Sequence, residues 1–236
     1  MVQNMEGDPW SITQNYQSPI RENDEYYCEN GRYRVQDLIL KDHEPHEDLT
    51  VREILMHSSN IGIAKIVENY CTGLIYDYVR KFGFGSKTGI TLPSETNGIL
   101  NTYSDWTLVS DVYVSIGQEI NSTTLQTAMA YSVIANGGYL LRPKILRNIT
   151  NKNEILYESH PTVIRKVISN STASKIISIL EGVVESGSGS KAQINGYKIA
   201  GKTGTSETFE NGIISTTNYI SSFAGIFPSN QPKYVC

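Results

Sequence analysis

Cysteine is scarce in this chain: Cys28, Cys71 and Cys236 are the three among 236 residues. The number is odd and no Cys-x-x-Cys pair occurs, so neither a disulfide framework nor a zinc site finds support. Long apolar runs are missing too. No stretch approaches the roughly 20 apolar residues of a membrane-spanning helix, and the first residues lack the charged-then-apolar pattern of a secretory signal. Nor is there an excess of positive charge. Against 24 Asp and Glu stand 20 Lys and Arg, a formal net charge of −4, so composition forces no basic face and argues against a nucleic-acid partner. No internal repeat is present, and no cofactor and no metal are assigned.

What is present is a soluble, globular composition, 39% hydrophobic, long enough for one large domain or one domain with an appendage. Its most informative stretch is Gly196 to Glu207, G-Y-K-I-A-G-K-T-G-T-S-E. Tyr197, Ile199 and Ala200 read as the opening of a strand. Gly201 and Gly204 flank Lys202 and Thr203, so another backbone can approach without meeting a Cβ. The residues between supply a cation, hydroxyls and backbone N–H groups. That combination suits a ligand lying along a strand edge with its carboxylate at the lysine. A further strand pattern, Tyr219 to Phe227, predicts a long hairpin turning at Asn211-Gly212. The same triplet also occurs at Lys87-Thr88-Gly89, after F-G-F-G-S, where it reads as a loop between elements.

Residues 1 to 25 are polar and irregular. Tyr26 to Leu40 holds a short hairpin. In Asp42-His-Glu-Pro-His-Glu-Asp48, Pro45 breaks any helical spacing of His43 and His46, and the stretch reads as a solvated turn rather than a metal site. Thr50-Val-Arg-Glu53 is a capping box that starts a helix ending near His57. Ser58-Ser59-Asn60 follows, then a helix from about Ile61 to Tyr70 with Ile63, Ile66 and Val67 at helical spacing. Polar residues between two apolar helices suit a site and an ordinary cap equally well. Leu74 to Phe82 is a helix ended by Gly83 and Gly85. Asp105 to Gly117 is a mixed loop and short apolar run. Thr123 to Asn136 is a helix with Leu125, Ala128, Met129, Ser132 and Val133 inward, ended by Gly137-Gly138. Tyr139 to Ile149 is a strand-and-turn passage. Ser169 caps a helix to about Glu185 that faces Ile176, Ile179, Leu180 and Val183 inward. Ser186-Gly-Ser-Gly-Ser190 is a flexible loop.

Ser58-x-Asn60 on a turn between helices, followed far downstream by Lys202-Thr203-Gly204 on a strand, is the order of the second and third signatures of penicillin-recognising serine enzymes. The surroundings sharpen it: E-N-G-R-Y-R (29–34), L-T-V-R-E-I-L (49–55), H-S-S-N-I-G (57–62), F-G-F-G-S-K-T-G-I (82–90) with L-P-S-E (92–95), I-G-Q (116–118), A-N-G-G (135–138) and A-G-K-T-G-T (200–205). With these stretches, residues 26–236 resemble the transpeptidase domain of class B penicillin-binding proteins, most closely the cell-division type, leaving 1–25 unassigned.

The resemblance implies an α+β, β-lactamase/transpeptidase-like fold: a five-stranded antiparallel sheet between helical layers, incomplete here, with the Lys-Thr-Gly strand at its edge. It implies acyl transfer from a D-Ala-D-Ala stem peptide of peptidoglycan through a serine that β-lactams also acylate. By position, Ser58 relays a proton to the leaving nitrogen, Asn60 holds the scissile-side amide, and Lys202 keeps the site electropositive. The Thr203 or Thr205 hydroxyl takes the terminal carboxylate, the Thr205 N–H is an oxyanion donor, and Gly204 leaves room for the ligand. It further implies a parent protein anchored on the extracytoplasmic face of a bacterial membrane and partnered with a glycosyltransferase.

One signature is missing. S-x-x-K should precede Ser58 by several dozen residues, yet Ser11 is followed three later by Gln14, and Ser18 by Arg21. Its one literal match, Ser188-Gly-Ser-Lys191, sits in the Gly/Ser loop and out of order. A nucleophile needs a rigid helix N-terminus, so Ser188 is rejected for that role. Pro232 to Cys236 reads as a strand that does not finish, so a gene fragment of low stability is expected, and a chain that forms no acyl-enzyme. The alternatives are a serine β-lactamase or D,D-carboxypeptidase of the same superfold, and a non-catalytic β-lactam-binding or scaffold domain.

Overall fold

In the computed structural model, described for residues 20–36, 38–69, 73–152, 154–210 and 213–236 (side chains within 207–217 excepted), short antiparallel hairpins alternate with helices and lead to one long hairpin. The chain opens with β1 (Glu25–Tyr27), β2 (Arg32–Val35), β3 (Leu38–Lys41) and β4 (Asp48–Thr50). β2 pairs with β3 as the expected hairpin, and β1 pairs with β4.

Helix α1 (Val51–His57) begins at the predicted capping box. The Thr50 hydroxyl accepts from the Glu53 N–H at 3.2 Å, and the Glu53 carboxylate accepts from the Thr50 N–H at 2.9 Å. Such a cap contributes about 1 kcal/mol, and the Thr50 hydroxyl and N–H hold the Glu53 carboxyl below the usual carboxylate range. Helix α2 (Asn60–Val67) starts one residue earlier than expected, and Tyr70, like Cys71 and the Asn211-Gly212 turn, lies outside the described residues. Helix α3 (Leu74–Lys81) stops before Gly83 and Gly85, whose φ angles of 101° and 69° belong to glycine.

Next come β5 (Ile99–Leu100), the unforeseen helix α4 (Ser110–Ser115), and β6 (Ile120–Asn121), which pairs with β5. In α5 (Thr124–Ala135) Met129 and Val133 are buried as expected with Leu125 packed beside them, while Gln126 and Ala130 are buried in place of the half-buried Ala128 and Ser132. Gln126 earns its place through hydrogen bonds. Its side-chain oxygen accepts from the Thr123 N–H at 2.9 Å, and its nitrogen donates to the Ser86 and Asn97 carbonyls at 2.8 and 2.7 Å. A buried amide is tolerated when its partners are all present. The strand-and-turn passage is richer than expected: β7 (Tyr139–Leu141) pairs with β10 (Val163–Lys166), and β8 (Asn148–Asn151) with β9 (Glu154–Glu158).

Helix α6 (Asn170–Glu185) is capped by Ser169, whose hydroxyl accepts from the Thr172 N–H at 3.0 Å. It leads to β11 (Ala200–Glu210), β12 (Ile213–Phe227) and β13 (Tyr234–Val235), an antiparallel sheet in that order with β11 at an edge. These are three of the five strands the family sheet implies. Leu180 and Val183 of α6 pack on Ala200 and Ile226, with Tyr131 and Ile134 of α5 alongside. Fully burying each large aliphatic side chain contributes about 1.5–3 kcal/mol, so α6 and α5 fix the height of β11. A second cluster around Val51, Ile54 and Ile61 seats α1 and α2.

Candidate active site

Two structures meet here, the α1–α2 turn and the β11 edge. Ser58 is the C-cap of α1, in the left-handed region at φ 59° and ψ 40°. This conformation is uncommon for serine. It is held from behind: Ser59 is the buried N-cap of α2, accepting from the Gly62 N–H at 2.9 Å and donating to the Asp42 carboxylate at 2.5 Å. Asp42 also accepts from the Ile61 N–H at 3.1 Å. The middle serine of the triplet is therefore the structural one, and Ser58 and Asn60 are left for other work.

From β11, the Lys202 ammonium donates to Ser58 Oγ and, at 3.1 Å, to the Thr203 carbonyl. Burial lowers the Lys202 pKa to about 8, because a low-dielectric surrounding disfavours the charged form. Since Ser58 Oγ accepts from Lys202, its own proton is free to be passed on. An ammonium in that contact can return a proton to the hydroxyl. Asn60 donates its side-chain amide to the Lys41 carbonyl at 3.1 Å. Among the described residues no hydrogen bond joins it to Lys202.

Thr203 is half-buried and Thr205 exposed. The Thr203 hydroxyl lies 2.8 Å from the hydroxyl of Ser188, a contact that sequence reasoning missed. The Gly/Ser loop before the strand was its one signal, and it was read as flexible. Gly204 stands opposite Ser222, and a Cβ there would come within 2.6 Å of Ser222 Oγ. Among the described residues β11 pairs with β12 on one side alone, so its other edge can take an extended ligand as an added strand. The first Lys-Thr-Gly lies in a loop, as expected. Thr88 donates both its N–H and its hydroxyl to Glu95, each at 2.6 Å. His46 of the 42–48 turn packs on His57, ring centroids 4.9 Å apart.

Residues 16–236 match the family model for the penicillin-binding protein transpeptidase domain. The chain belongs to that family. Curated relatives match along most of the chain. A peptidoglycan D,D-transpeptidase FtsI homolog of Mesostigma viride is 30% identical over 92% of this chain and 40% of its own length. Stage V sporulation protein D of Bacillus subtilis is 34% identical over 79% of this chain and 29% of its own. Among solved structures, penicillin-binding protein 3 of Mycobacterium tuberculosis complexed with aztreonam aligns at a TM-score of 0.83 and 29% identity, covering 91% of this chain and 50% of that one. The chain thus spans well under half the length of these two curated relatives, and its α+β penicillin-binding fold is shown by the structural neighbour as well as by the family model.

Proposed function

We propose that this chain forms the substrate-recognition part of a peptidoglycan D,D-transpeptidase, the activity that joins stem peptides by serine acyl transfer. The Lys202 ammonium seated on Ser58 Oγ carries the reading: it brings a helix-joining turn and a sheet-edge cation, 144 residues apart, to one point. In this reading Ser58 passes a proton to the leaving nitrogen, and Lys202 supplies the positive field and restores that proton. Asn60 steadies the scissile-side amide through its carboxamide. The Thr203 and Thr205 hydroxyls bind the terminal carboxylate of a D-Ala-D-Ala peptide or a β-lactam, and the Thr205 N–H serves an oxyanion, a contribution of about 2.7–4 kcal/mol per donor. Gly204 leaves the face beside the ligand open. The partial transpeptidase domain takes in residues 26–236, and the family match carries its start back to residue 16. Its parent acts on the extracytoplasmic face of a bacterial membrane beside a glycosyltransferase.

One sequence fact qualifies the chemistry. The literal S-x-x-K, Ser188 to Lys191, lies on the loop before β11 and in a 3-10 turn (Ser190–Ala192), away from any α-helix N-terminus. The chain as it stands therefore binds β-lactams without forming an acyl-enzyme. The test is direct. Incubated with fluorescent penicillin and run on a denaturing gel, the chain should show no labelled band, while ligand-observed NMR should detect N-acetyl-D-alanyl-D-alanine binding that Lys202→Met weakens about tenfold or more. A covalent band lost on Ser188→Ala would restore Ser188 as nucleophile. Absence of any dipeptide binding would remove the recognition reading.

A further inference from the structure

The segment from Ser186 to Ser190 has the composition of a flexible loop, yet it is bound along its length. The Gly187 N–H donates to the Gly182 carbonyl at 3.1 Å, the Ser188 N–H to the Met56 carbonyl at 3.1 Å, and the Gly189 N–H to the Val183 carbonyl at 2.9 Å. Gln193 ties the far side down, its side-chain nitrogen donating to the Val184 and Glu185 carbonyls at 2.9 and 2.8 Å. The two glycines are demanded by contact rather than by freedom. A Cβ on Gly187 would lie 2.5 Å from the Met56 carbonyl oxygen, and one on Gly189 would lie 3.2 Å from Val183. Between them, Ser188 has a backbone fixed to the last turn of α1, two residues before Ser58. Its exposed side chain stands 2.8 Å from Thr203 Oγ1.

A threonine hydroxyl carries one proton and turns freely unless a partner fixes it. Two of the three Lys202 N–H donors are already engaged, with Ser58 and the Thr203 carbonyl, so the hydroxyls carry a large share of the directional contacts to an anion on this edge. We propose that Ser188 is a positioning residue for carboxylate recognition: donating to Thr203 Oγ1, it leaves the Thr203 proton aimed at the ligand's anion. Because Ser188 is held by α1 through its backbone and by β11 through its side chain, it also sets the carboxylate-binding strand in register with the Ser58 relay. The inference rests on the reading that Thr203 and Thr205 take the carboxylate.

The experiment compares two probes on the full chain by NMR titration: N-acetyl-D-alanyl-D-alanine and its C-terminal carboxamide, which has the same shape without the charge. Ser188→Thr and Ser188→Val are near-isosteric with each other and differ by the hydroxyl. The acid-over-amide preference should be kept in Ser188→Thr and fall about threefold to tenfold in Ser188→Val, the worth of one hydrogen bond, with amide affinity unchanged. A merely structural role would weaken both probes together. Should the valine variant fail to fold, Ser188→Ala gives the same reading without added methyl groups. If wild type prefers the acid and the hydroxyl-free variant prefers it equally, Ser188 has no positioning role. If wild type shows no preference for the acid, the carboxylate assignment itself fails and takes this inference with it.

Discussion

The chain carries the tripeptide Lys-Thr-Gly twice, and the two copies have opposite fates. At 87–89 the lysine is exposed, the threonine turns inward to Glu95, and the glycine sits at φ 77° with nothing near its missing Cβ. At 202–204 the lysine is half-buried with its pKa lowered to about 8 by burial, the threonine is shared with Ser188, and the glycine lies in a strand against Ser222. Local sequence is the same, so the difference is made elsewhere. A loop tied by its own carboxylate gives a structural knot. A strand fixed by α6 and α5, with a helix turn opposite, gives an edge whose cation is buried against a serine hydroxyl. The two copies differ in whether packing desolvates the cation.

The largest test of this contrast is the pH dependence of stability. Below about pH 8 the Lys202 ammonium is charged in both folded and unfolded chain, and burying it costs about 3 kcal/mol. Between about 8 and its ordinary 10.5, the unfolded chain still holds the proton that the folded chain has released. Stability should therefore rise with pH across that window. Urea denaturation at several pH values should show the rise in wild type and in Lys87→Met, and a flatter profile with greater stability at neutral pH in Lys202→Met. An unchanged profile in Lys202→Met would mean the ammonium is not desolvated.

The threonines should exchange symptoms. Thr88→Val removes a buried hydroxyl that Glu95 accepts from, costing roughly 1 kcal/mol of stability by denaturant midpoint, with dipeptide affinity untouched. Thr203→Val should leave stability within about 0.5 kcal/mol, as surface changes usually do, and lower affinity for N-acetyl-D-alanyl-D-alanine several-fold. Both variants losing stability alike would erase the distinction between knot and edge.

What the sequence made legible were features written locally. The Thr50–Glu53 box, the Ser169 cap and the β11–β12 pairing each follow from residues within a few positions or from two apolar runs facing one another. The β8–β9 hairpin and β10 escaped because every one of their residues is exposed. No core face imposes alternation there, and Ile149, Ile155 and Leu156 stand in solvent among polar neighbours. Helix α4 has six residues and no side-chain cap, so it offers neither period nor boundary. On α5 the apolar spacing finds Leu125, Met129 and Val133 but not Gln126, which is buried for its hydrogen bonds, something hydrophobic periodicity does not report. At the site, the identities of Ser58 and Lys202 were readable through their motifs. The left-handed turn at Ser58 and the Ser188–Thr203 contact were not, because both exist only once α1, the loop and β11 have been packed together.

The glycines give the finest comparison, since their effects on stability are small and their effects on binding should differ. Gly89→Ala forces a Cβ onto a left-handed residue, a strain of about 1 kcal/mol with no ligand consequence. Gly204→Ala places a Cβ near Ser222 Oγ, the end of a side chain that can rotate away from its weak 3.4 Å bond to the Gly204 carbonyl. Alanine is also about 0.5–1 kcal/mol better than glycine within a strand. Crowding and propensity then nearly cancel, and the denaturation midpoint should hardly move. Dipeptide affinity should fall several-fold, because the added methyl occupies the face beside which the extended ligand lies. Full affinity in Gly204→Ala would show that the ligand approaches β11 along its edge alone, leaving that face out of recognition.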